Sequence, residues 1–75
     1  MRYQVVRSVQ DKTLHVICYD EKFESVPDQI RHLGPWQGLM RGDIDLLKSH
    51  YRLQLAEQGF VVVHHKTGAF APEHQ

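Results

Sequence analysis

Apolar residues near the start of the chain recur at every second position. In "RYQVVRSV" (Arg2–Val9) the alternation is imperfect, with Tyr3, Val5 and Val9 on one face. In "TLHVICY" (Thr13–Tyr19) it is clean: Leu14, Val16 and Cys18 share one face, and His15, Ile17 and Tyr19 share the other. A period of two is the mark of a strand. Gln10, Asp11 and Lys12 between the two segments have turn character, so the pattern predicts a β-hairpin. The turn holds no Gly or Asn-Gly pair to define its type.

The period then lengthens. "SVPDQIRHLGP" predicts a short helix, with Ser25 as its cap, Pro27 in the first turn and Asp28 at the positive end. Val26, Ile30 and Leu33 fall on one side, and Gly34 followed by Pro35 reads as its stop, with Gly34 in the left-handed conformation. "GDIDLLKSHYRLQLAEQG" predicts a long helix. Asp43 and Asp45 occupy its start and Gly59 follows its last turn. Ile44, Leu47, Tyr51 and Leu55 form one stripe along it. Asp45, Lys48, Ser49 and Arg52 form a polar flank. Leu46 and Leu53 lie nearly opposite the stripe, beside His50 and Glu57. "FVVVHH" (Phe60–His65) is continuously apolar and β-branched, which suits a central or doubly covered strand.

These elements compose an α+β domain in the order β-β-α-α-β. The expected sheet has three strands, mainly antiparallel, packed by one long and one short helix. Residues 1–66 make the single domain, and 67–75 have the composition of a loose tail. In "HLGPWQGLMRGD" three of the five glycines surround the only tryptophan. That stretch reads as the connection between the helices, with Trp36 as a plug over an open edge whose indole N–H needs a partner. Leu46 and Leu53 are expected to be covered, either by the Gly34–Met40 stretch with Trp36 or by a partner chain.

Length and composition narrow the function. A chain of 75 residues buries only about 60% of its unfolded surface, so its core is marginal. Cys18 is the only cysteine; it lies in an apolar run and is expected to be a core thiol in a reducing cytosol. The opening "MRYQVVRSV" has no signal-peptide pattern, and no apolar run approaches the length of a membrane span. A cytoplasmic location is therefore expected. Nine basic and nine acidic side chains balance, which removes the default reason to propose a phosphate-backbone binder.

Candidate chemistry is sparse. The six histidines include no His-x-x-x-His pair, and His64 and His65 are adjacent on a strand and so point apart. A metal site would have to gather His32, His50 and one of that pair; no metal and no cofactor are expected. Ser25 reads as a cap and Ser49 as helix surface. No nucleophile elbow or phosphate-cradling loop is present, so no catalytic residue is assigned. Arg41-Gly42-Asp43 reads as a helix start rather than an adhesion tripeptide.

The leading expectation is a small non-catalytic module that works through a protein contact, with its own copy as one candidate partner. Trp36, Leu46, Leu53, His50 and Tyr51 are the candidate surface. The first alternative is an RNA- or DNA-binding protein that uses Arg31, Arg41, Lys48 and Arg52 beside Trp36. The second is a small hydrolase or nuclease with His32 or His50 as general base.

Overall fold

The computed structural model describes residues 1–64. Strands β1 (Arg2–Ser8), β2 (Leu14–Tyr19), β3 (Trp36–Asp43) and β4 (Phe60–His64) form one sheet in the order β3-β1-β2-β4. Every neighbouring pair is antiparallel. Between β2 and β3 the chain makes a 3-10 turn (Phe23–Ser25) and a one-turn helix, α1 (Asp28–Arg31). A second 3-10 turn (Ile44–Leu46) and helix α2 (Ser49–Gln58) separate β3 from β4. The α+β class and the antiparallel sheet stand. The strand count does not: the sheet has four strands, not three, and its order differs from the expected one.

The extra strand is the glycine-rich stretch itself. Glycine is poor in strands by propensity, so the stretch reads as a connection. Pairing with β1 overrides that preference along Arg2↔Asp43 to Ser8↔Trp36, with a bulge where the register shifts between Val5 and Val6. Gly42 is needed there for space. A Cβ on it would lie 2.9 Å from the Tyr3 hydroxyl, whose ring crosses over the strand.

The long helix is also shorter than expected. It starts at Ser49 rather than Asp43. Asp43 does cap, but it caps the 3-10 turn, its carboxylate accepting from the Asp45 N–H at 3.0 Å. Ile44 donates its N–H to the Met1 carbonyl beside β1, which ties the first residue of the turn to the sheet. Leu47 and Lys48 then run extended, with ψ of 147° and 141°, before α2 begins. The stop is as expected: Gly59 is left-handed, φ 85°, and its N–H closes on the Leu55 carbonyl.

The sheet buries both faces. On one, Tyr3, Val5, Ile17 and Val61 pack with Leu47, Tyr51 and Leu55, and α2 lies over β2 and β4. The expected stripe is therefore the buried one, with Ile44 packed at its margin. On the other face, Val6, Val16, Cys18 and Val26 form a second cluster, covered by Phe23, Ile30, Trp36 and Phe60. The two faces of β2 match its alternation.

Several local expectations are corrected. Val9 lies beyond β1 and is exposed. Ser25 does not cap α1; its hydroxyl donates to the Lys22 carbonyl, and Pro27 holds the cap position. Leu33 is exposed rather than packed beside Val26. Gly34 is not left-handed; the Trp36 ring lies so close that a Cβ would meet it at 2.5 Å. β4 is an edge strand, not a central one, and Val62 is 39% exposed. Residues 65 and 66 of the expected domain, and the expected tail, lie outside the described residues.

Candidate interaction surface

Trp36 opens β3 and turns toward the face that carries Val6, Val16 and Cys18. It is half-buried, edge-on to Phe23 at 5.9 Å between ring centres. Its indole N–H donates to the Arg31 carbonyl at 2.9 Å, the partner that a covered tryptophan requires. The tryptophan thus pins α1 to the sheet.

Leu46, Leu53 and His50 belong to the opposite side. Tyr51 and Leu55 point from α2 into the core, and Leu53 projects away from them by helical geometry. Leu46 and Leu53 are 59% and 65% exposed. The Gly34–Met40 stretch does not cover them, because that stretch is a strand on the far side of β1. His50 is exposed, with its ring 4.1 Å from that of Tyr51. Tyr51 itself is buried, and burial pushes its phenol pKa above the ordinary value. The expected five-residue surface therefore divides. His50 and Leu53 are exposed on α2 and Leu46 is exposed in the 3-10 turn before it, while Trp36 and Tyr51 pack against the core clusters.

The four cations divide in the same way. Arg41 pairs in register with Gln4, the neighbour of Cys18, and its guanidinium lies 3.5 Å from Asp20. Arg31 is ion-paired with Asp28 on α1. Both belong to the Trp36 side. Lys48 and Arg52 sit at α2 on the other face, and Arg52 donates to the Asp45 carbonyl at 2.8 Å. One continuous basic strip beside Trp36 is not formed, which weakens the nucleic-acid alternative.

The chemistry of a small hydrolase finds no assembled site among the described residues. His32 follows α1 and His50 lies on α2, so the sheet separates them. A hollow of about 430 Å³ at the β1–β3 bulge is lined by Gln4, Val5, Gly38, Leu39, Met40 and Arg41. Another, of about 440 Å³, is lined by Met1, Arg2, Tyr19, Asp20, Glu21 and Lys22. Neither holds a histidine or a nucleophilic serine or cysteine. Cys18 is buried, and desolvation pushes its thiol up to about 11, the opposite of what a nucleophile needs. No three His, Cys, Asp or Glu side chains among the described residues are placed to hold a metal.

Sequence reasoning missed that β4 ends the sheet, with no strand beside its outer edge among the described residues. The signal was the run "FVVVH", read as a strand buried between neighbours. No helix among the described residues is long and apolar enough to cross a membrane. Comparison with family models, with curated proteins and with solved structures finds no match to the chain.

Proposed function

We propose that this protein is a non-catalytic interaction module that works by binding another polypeptide. One observation carries the reading: Leu53, on the outer side of α2, and Leu46, in the 3-10 turn that precedes it, are both more than half exposed. Single exposed leucines are ordinary. Here two leucines stay exposed on either side of residues the core already uses, Leu47 and Tyr51. Covering what remains exposed of both is worth roughly 2–4 kcal/mol, enough to matter for association.

Photo-crosslinking in cells tests this. A crosslinking residue at position 53 is expected to give a discrete adduct, and one at Glu57 a weaker or absent one. Leu53→Glu is expected to leave folding stability within about 0.5 kcal/mol of the parent, as at a surface site, and to abolish any adduct formed from position 46. No adduct from 46 or 53 would leave the leucines as solvated surface and overturn the reading.

A further inference from the structure

We propose that the partner is a second copy of this chain, joined edge to edge through β4 to give one continuous eight-stranded sheet. This rests on the reading of the protein as an interaction module and adds a second surface, the β4 edge, separate from Leu46 and Leu53.

The backbone fixes what the β4 edge offers. Asp20 donates its N–H to the Arg2 carbonyl at 3.0 Å, one step beyond the Tyr3↔Tyr19 pair. In an antiparallel ladder, hydrogen-bonded and non-bonded pairs alternate. Val16 and Cys18 therefore bond to β1, and His15 and Ile17 bond to Val63 and Val61 of β4. The N–H and C=O groups of Phe60, Val62 and His64 then point away from the sheet. Among the described residues no backbone group reaches them.

The two edges of the sheet differ in protection. β3 carries a bulge opposite Val5 and Val6, the glycines Gly38 and Gly42, and the charges Arg41 and Asp43. Bulges and charges are the usual devices that keep an edge unpaired. β4 has no bulge in its pairing, no proline, no glycine and no acidic or basic residue other than His64. Its composition is that of a central strand, and one further strand would make it central.

The edge is self-complementary. A twofold axis through Val62 sets Val62 opposite its counterpart, Phe60 opposite His64, and Val61 opposite Val63. Phe60, Val62 and His64 would each donate and accept one backbone bond across the axis. Val61 and Val63 lie on the α2 side, so their contact would extend the cluster of Tyr51 and Leu55 across the junction. Val62, 39% exposed, would be covered by itself. No like charges meet. A symmetric contact of this kind closes at two chains.

The full chain is examined by sedimentation from about 1 μM to about 1 mM, with amide exchange followed by NMR. Mass is expected to rise from 8.8 kDa to twice that value. The amides of Phe60, Val62 and His64 are expected to slow only as the dimer fills. Val62→Lys places a charge at a position that is exposed in the monomer but opposes two lysines across the axis, and is expected to weaken the dimer about fivefold. If that variant fails to fold, the amide protection decides. A monomer at every concentration overturns the proposal, as does a monomer whose Val62 amide is slow throughout, since the chain then covers its own edge. A dimer with fast Val62 exchange, insensitive to Val62→Lys, also overturns the β4 contact but leaves the interaction reading standing.

Discussion

The two faces of the sheet are buried by different means. Under α2, the cover is a regular helix that satisfies its own backbone and presents Tyr51 and Leu55, with Leu47 from the link before it, against Tyr3, Ile17 and Val61. On the other face the cover is a 3-10 turn, a one-turn helix and the first residue of β3, over the smaller side chains of Val6, Val16, Cys18 and Val26. Short irregular segments leave backbone groups to be satisfied, and here the polar ties are explicit. The Ser8 hydroxyl, fully buried, donates to the Leu33 carbonyl at 2.7 Å and accepts from the N–H groups of Gln10 and Asp11. Trp36 bonds the Arg31 carbonyl, and Val9 bonds that of Pro35. A helix is held by area; a loop cover is held by area and by named hydrogen bonds.

Truncation should separate the two faces. Leu55→Ala empties a fully buried site under α2 and is expected to cost about 2–5 kcal/mol in global unfolding. Trp36→Ala removes a half-buried ring and is expected to cost about 2 kcal/mol, less than a fully buried tryptophan. Its signature should be local, with amides between Phe23 and Leu33 exchanging faster while those of α2 keep the global value. Denaturant titration and hydrogen exchange measure both. Equal, purely global losses would erase the distinction.

The alkaline limb sharpens the comparison next. Burial raises the Cys18 thiol to about 11 and raises the phenols of Tyr3 and Tyr51. For each, the folded state holds its proton where the unfolded state has lost it. Stability is therefore expected to be flat below the ordinary thiol value and to fall as pH rises from about 9 toward 11, by about 2 kcal/mol for Cys18. Cys18→Ser or Cys18→Ala should flatten the part that comes from the Trp36 face. The tyrosine part, from the α2 face, should remain. Thermal melts across that range read the difference.

The smallest effect is expected at the hydroxyl. Ser8→Ala leaves the Leu33 carbonyl without its donor and is expected to cost about 1–2 kcal/mol, again with faster exchange near Leu33. No change on substitution would show that the loop cover is held by apolar area alone.

The sequence by itself determined what each short segment does with its own side chains. Period-two alternation assigned Leu14, Val16 and Cys18 to one face and His15 and Ile17 to the other, because successive strand residues must point apart. Ile44, Leu47, Tyr51 and Leu55 were legible as an inward stripe even though the helix starts only at Ser49, since a 3-10 turn and an extended link kept them on the same side. Gly59 was legible as a stop because only the left-handed turn there is needed. The tertiary structure alone decided pairing and neighbours. Local propensity argues against a strand at "WQGLMRGD", and only β1, with Tyr3 lying over Gly42, makes it one. That extra strand moved Trp36 and Arg41 to the face opposite Lys48, Arg52 and Leu53, and so divided surfaces that looked continuous along the chain. The pairing order likewise set β4 at an edge, which no periodicity within five residues can reveal, because an edge is defined by the strand that is not beside it.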